Sequence, residues 1–169
     1  MVAREIVRVA RNLCVQRGRD SHGWQDYAIA CKISGGVLQG PTAGTIYGRT
    51  DDIPSANYVL VPAGRQIKPR TAGVNIRSRG TRQTRNLEIG IEQMCVDGFH
   101  LRVTDKARTV VALVRWGGVR QHAIKAVRSY LAHEGSAQRL HAMADEFGIS
   151  REIRTLTEAM YVAWERAPA

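Results

Sequence analysis

From Asn57 to Pro62 the chain reads NYVLVP, an apolar run closed by proline. Aromatic and β-branched residues suit a pleated, buried surface, so this run predicts a strand. In GVNIRSRG, residues 73–80, apolar and polar positions alternate, with Val74 and Ile76 on one face and Arg77 and Arg79 beyond them. Leu87, Ile89 and Ile91 alternate along residues 86–96 until the phase shifts near Met94. The hairpin-type pair Asp97–Gly98 precedes a further alternation of Phe99, Leu101 and Val103. Residues 28–103 are therefore expected to form a mostly antiparallel β-region of about four strands.

After Thr104 the apolar period becomes helical. Ala107, Val110, Val111 and Val114 form one stripe, with Thr104 or Asp105 placed as N-cap and Gly117–Gly118 as the stop. Val119, Ala123, Ala126, Val127 and Tyr130 form a second stripe. Ser136 is placed to cap a third, with Leu140, Met143, Ala144 and Phe147 inward, and Ser150 a fourth, with Ile153, Leu156, Met160 and Trp164 inward. At the other end, Ile6, Val9, Leu13, Val7, Ala10 and Cys14 predict an N-terminal helix over residues 3–17, stopped by Gly18. Residues 24–33 are ambiguous, and a short helix is expected over Thr42–Tyr47. Grouped strands followed by grouped helices indicate an α+β fold. The expected organisation is one domain over 1–169: a helical appendage at 1–27, the β-rich region at 28–103 and a bundle of about four helices at 104–166.

Ordinary hydrophobic and charged fractions, 44% and 24%, predict an ordered globular chain. The net charge of +10 is not ordinary and favours an anionic partner. Seven positive residues and no acid lie between Arg65 and Arg85: Arg65, Lys68, Arg70, Arg77, Arg79, Arg82 and Arg85. Removing these seven charges from +10 leaves +3 for the rest of the chain, so the basicity is local. Six are arginine, which grips phosphate bidentately, and SRGTRQTRN adds hydroxyl and amide donors suited to phosphate oxygens. Aromatics are not interleaved, so contact with a duplex backbone is expected rather than base stacking. An acidic protein partner would be served equally well, and so would simple solubility.

Cys14, Cys31 and Cys95 form no C-x-x-C pair, which predicts free, buried thiols rather than a zinc or redox site. Arg4, Glu5, Arg8 and Arg11 interrupt any signal-peptide-like run, and no stretch reaches the ~18 apolar residues of a membrane span. A cytoplasmic protein is expected.

Asp51 and Asp52 follow the Gly35–Gly36 pair, an order that suggests the Mg²⁺ site of a nucleotidyltransferase. Adjacent residues on a strand point to opposite faces, whereas a metal pair on a strand is naturally Asp-x-Asp. Ile53–Pro54 then ends regular pairing. The acids more simply finish a helix–turn unit and pair with a nearby arginine. No G-x-S-x-G, Walker lysine loop or H-E-x-x-H occurs. His22, His100, His122, His133 and His141 are scattered. No catalytic residue, metal or cofactor is expected, and a divergent nucleotidyltransferase using Gly35, Gly36, Asp51 and Asp52 stands as an alternative.

The segment ISGGVLQGPTAGTIYGRTDDIPSANYVLVP resembles the part of AbiEi-type antitoxins in which a small-residue helix ends in a Gly-Leu-Thr-Asp-like turn before a Val-x-Val-Pro strand. Here the turn is Gly48–Arg49–Thr50–Asp51 and the strand Tyr58–Pro62. LEIGIEQMCVDGFHLRVTDKARTVVALVRW is similar to the family's Gly-Ile-Glu, strand, Arg-Val-Thr and following helix, with Ala112 where an acid is frequent. AIKAVRSYL and ISREIRTLTEAM fit its closing helices. The resemblance spans residues 28–162 and omits the family's usual winged helix-turn-helix, leaving residues 1–27 in that place. It implies a non-enzymatic antitoxin or regulator that binds DNA, neutralises a nucleotidyltransferase-type toxin, and could act as a homodimer.

Overall fold

Ile6–Ala10 (β1) and Leu13–Gln16 (β2) pair as an antiparallel hairpin, Val7 opposite Val15 and Arg8 opposite Cys14. This corrects the helix expected over 3–17. The same apolar residues satisfy both periods, and β-branched Ile6, Val7, Val9 and Val15 are stiff side chains that favour strand. The structure, a computed structural model, describes residues 6–10, 13–16, 23–50, 53–67, 70–71, 73–96, 98–116, 120–133 and 135–165. Two units divide the chain: Met1–Leu38 with Pro54–Val103, and Gln39–Ile53 with Thr104–Ala169.

In the first unit, helix α1 (Trp24–Ser34) resolves the ambiguous stretch and ends at Gly35, whose φ of 61° lets its N–H return to Cys31 O at 2.8 Å. Ser34 Oγ donates to Ala30 O at 2.6 Å and accepts from Gly36 N at 3.0 Å, shaping the turn into β3 (Val37–Leu38). The remaining elements are β4 (Asn57–Pro62), β5 (Arg70–Thr71), β6 (Val74–Thr81), a 3₁₀ turn at Thr84–Leu87, β7 (Ile91–Val96) and β8 (Phe99–Thr104). The sheet runs β5-β6-β4-β3-β8-β7. It is mixed rather than mostly antiparallel: β3 lies antiparallel to β4, but β4 is parallel to β6 and β3 parallel to β8. β5 lies antiparallel to β6 on its other side, with Arg70 opposite Asn75 and Thr71 opposite Val74. The strand expected over 86–96 starts only at Ile91, because Gly90 at φ 60° breaks the extended path.

Val37, Val59, Val61, Val74, Ile76, Leu101 and Val103 are buried in this unit, and α1 packs on β3, β4 and β6. Each such side chain contributes about 1.5–3 kcal/mol of burial.

The second unit holds α2 (Gly40–Ile46), α3 (Lys106–Trp116), α4 (Arg120–His133), α5 (Ala137–Glu146) and α6 (Ser150–Glu165). Among the described residues four helices follow Thr104, and α2 covers most of the short helix read from the sequence. Helix α3 is central: Ala107 to Leu113 are all buried, and it packs against α2, α4, α5 and α6. A helix enclosed on every side has no polar face, so the single stripe expected for it understates its burial. On α4 and α5 most of the expected residues face inward, Ala123, Ala126, Val127, Tyr130, Leu140, Ala144 and Phe147 being buried, while Met143 is half-buried and Val119 lies outside the described residues.

Two caps are as expected. Asp105 Oδ1 accepts from Arg108 N at 2.8 Å, and Ser136 Oγ accepts from Arg139 N at 3.3 Å. Ser150 differs: it is the first residue of α6 and its hydroxyl donates to Asp145 Oδ1. Asp105 Oδ2 also takes Arg139 Nη2 at 2.9 Å, so one carboxylate ties the starts of α3 and α5 together. Burial pushes the Arg108 pKa down to about 10, against the pull of Asp105, and its guanidinium carbon lies 4.8 Å from the centroid of the Phe147 ring. It stays charged at neutral pH.

Candidate nucleic-acid interface

The alternation of β6 decides which of its side chains reach solvent. Val74 and Ile76 are buried, while Asn75, Arg77 and Arg79 are exposed on the opposite face. Arg77 and Arg79 therefore project side by side, about 6.6 Å apart along the strand. In the parallel register Tyr58 lies beside Arg77 and Leu60 beside Arg79. Arg77 Nη1 donates to the Tyr58 hydroxyl at 3.0 Å, and its guanidinium carbon is 5.5 Å from the ring centroid.

Beyond the end of β6, Arg82 lies in a bend and Arg85 in the 3₁₀ turn, both exposed. Thr81 Oγ1 accepts from Gln83 N at 3.3 Å and from Asn86 Nδ2 at 3.0 Å. The Thr81 hydroxyl and the Asn86 amide, two of the groups that the sequence offers as phosphate donors, are thus engaged in holding this turn. Ala63 N donates to Thr81 O at 2.7 Å, which brings the Arg65 turn to the same end of the sheet. The Arg65 guanidinium lies near the C-terminal end of α1. Its Nη1 is 3.8 Å from where a Cβ on Gly35 would lie, at the negative end of the α1 dipole.

Arg70 stands at the other end: β5 pairs it with Asn75. Seven residues separate Asn75 from Arg82, roughly 23 Å of extended chain. The basic segment is consequently a linear track and not a point cluster. Lys68 lies outside the described residues, as do Asp51 and Asp52.

Sequence reading missed the groove beside this track, about 560 Å³, lined by Ser55, Gln66, Asn75, Arg77 and Ser78 among others. Asn75 Nδ2 donates to Ser55 O at 3.3 Å, and Ile67 N donates to Ser78 Oγ at 2.9 Å. Ser55 and Gln66 carry no periodicity or charge signal; only the fold brings them to β6.

The glycines of the alternative metal reading have local explanations. Gly35 caps α1, and a Cβ on Gly36 would lie 2.5 Å from Leu60 O and 2.9 Å from Val61 Cγ1. Among the described residues no group of three or more His, Cys, Asp or Glu side chains comes together as metal ligands would. The cysteines are free, but Cys14 and Cys95 are exposed, correcting the expectation of burial. Cys31 is partly buried, its Sγ 3.7 Å from Arg102 O, and burial pushes its thiol pKa up. An exposed thiolate precursor is more available to oxidants than a buried one. Of the described helices, none is long and apolar enough to cross a membrane. No protein-family model matches the chain, and no curated protein matches it.

Proposed function

We propose that the protein binds nucleic-acid backbone through the β6 track and acts in the cytoplasm as a non-enzymatic, AbiEi-like antitoxin or regulator. The observation that carries the binding reading is the linear placement of exposed guanidinium groups along and beyond β6. A compact anion needs converging donors, whereas a polyanion of regular charge spacing is matched by an extended row. One strand of duplex presents a phosphate every ~3.4 Å of axis, so a track of roughly 23 Å spans about seven phosphates. The antitoxin part rests on the order of sequence motifs over residues 28–162 and adds a nucleotidyltransferase-type toxin as protein partner.

Replacing Arg77, Arg79, Arg82 and Arg85 together with Ala tests the binding role. Duplex binding should be lost while the circular dichroism spectrum and melting temperature are retained, because all four side chains are exposed. Unchanged affinity would refute the phosphate role. Purification from the native host then addresses the partner. A stoichiometric nucleotidyltransferase supports the antitoxin reading, and an acidic protein without nucleic acid refutes the DNA-binding one.

A further inference from the structure

The groove beside β6 is bounded by two segments that side chains, rather than the β-ladder, tie to the strand. Ser78 Oγ accepts from Ile67 N at 2.9 Å and donates to Ile67 O at 3.4 Å, so one hydroxyl fixes both backbone groups of that residue. Asn75 Nδ2 donates to Ser55 O at 3.3 Å, and Asn57 Nδ2 donates to Asn75 O at 3.3 Å. Gln66 Nε2 is 3.6 Å from where a Cβ on Gly80 would lie, so the Gln66 amide rests against the strand. Ser55, Gln66, Asn75 and Ser78 line the concavity of about 560 Å³, and Arg77 borders it from the basic row. All of these residues belong to the first unit.

The groups around the groove are of two kinds. Ala56, Ile67 and Ile76 are apolar, whereas Gln66 and Asn75 are exposed and end in carboxamides. A carboxamide sets a donor and an acceptor side by side. Asn75 gives one N–H to Ser55 O and keeps a second N–H and its Oδ1. A phosphate gains nothing from apolar walls and is repelled by an amide oxygen. A nucleobase suits both kinds: its ring faces stack on apolar groups, and its edge offers the adjacent donor and acceptor that Asn and Gln pair with, above all at adenine. The volume falls within the usual range of small-molecule sites. Arg77 belongs to groove and track alike, so a nucleotide whose phosphate it grips lies at the mouth of the groove.

We propose that the groove takes one unpaired nucleobase, with adenine the best match, from a strand whose backbone lies on the β6 track, and that Gln66 and Asn75 read its edge. The proposal rests on the nucleic-acid reading of that track. It adds a preference for a duplex carrying an extrahelical nucleotide, because a stacked and paired base cannot enter a pocket without first leaving the helix.

Fluorescence anisotropy of the full chain with three DNA duplexes tests it: one fully paired, one with a single unpaired adenosine, and one with an abasic nucleotide in that place. The abasic duplex keeps the flexibility of the bulge and lacks the base. The wild type should bind the adenosine duplex about five- to ten-fold more tightly than the abasic one. Gln66 and Asn75 are exposed, so Q66A/N75A is expected to fold, which its melting temperature checks. That variant should bind the two bulged duplexes alike and the paired duplex as the wild type does. If loss of the Asn75–Ser55 bond lowers the melting temperature, Q66A alone should still reduce the preference at least about two-fold. Equal binding of the adenosine and abasic duplexes, by a wild type that binds the paired one, overturns the groove and leaves the track standing. A preference that survives in both variants overturns it too. Absence of binding to all three duplexes overturns the track reading and the groove with it.

Discussion

Arg77 and Tyr58 meet across the parallel β4–β6 pair, the guanidinium donating to the phenol oxygen at 3.0 Å. The contact holds an exposed arginine on the sheet face, so less side-chain freedom is lost when it grips a phosphate. Tyr58→Phe removes the hydroxyl and keeps the ring. Duplex affinity is expected to fall about two- to five-fold, the worth of one ordinary hydrogen bond. The melting temperature should hardly move. Anisotropy titration and thermal unfolding of the same preparation check both expectations.

Gly36 distinguishes a packing glycine from a metal-loop glycine. A Cβ there would sit 2.5 Å from the backbone oxygen of Leu60, which cannot swing aside as a flexible side chain can. Gly36→Ala is expected to cost about 1–3 kcal/mol by overpacking. Urea unfolding measures this as a lower midpoint. An unchanged midpoint would remove the structural account of Gly36 and return interest to the glycine–aspartate alternative.

Asp105 both caps α3 and receives Arg139. Asp105→Ala is expected to destabilise the protein by about 1–3 kcal/mol, mostly through the lost cap. Arg139 is 65% exposed, so Arg139→Ala should cost no more than about 1 kcal/mol. Denaturant unfolding of the two single variants and the double variant separates cap from ion pair.

Ser136→Ala removes the side-chain acceptor at the start of α5. A loss of about 1 kcal/mol is expected, and Ser136→Asp should restore most of it. Equal stability of all three chains would show that the cap contributes nothing.

Local periodicity made several elements legible. The alternation of Val74, Ile76, Arg77 and Arg79 placed β6 and its exposed arginines, and the stripes of α4 and α5 named their buried residues. Asp105 and Ser136 were readable as caps because capping is settled within three residues. Pairings between distant segments were not readable. The parallel register of β4 with β6 sets Arg77 beside Tyr58, 19 residues away, and the hold of Arg49 on Ser129 joins positions 80 residues apart. Thr157 is buried against His141, although a threonine among apolar positions carries no signal of its partner. The hairpin β1–β2 failed for another reason: its residues satisfy both periods, and pairing between the two segments decides the outcome. Within the basic segment, charge was visible in the sequence. The nearness of Arg65 to Gly35 was not, because it depends on the position of α1.

Binding of the wild-type chain to random-sequence duplex DNA, followed by fluorescence anisotropy across a salt series, tests the β6 track most directly. Neutralisation of four to six phosphates gives a slope of about −4 to −5 for log K against log salt. In R77A/R79A the slope should become shallower by about 2. Absence of binding at low salt, or the same slope in both chains, would contradict the assignment of β6 as a backbone-binding strand.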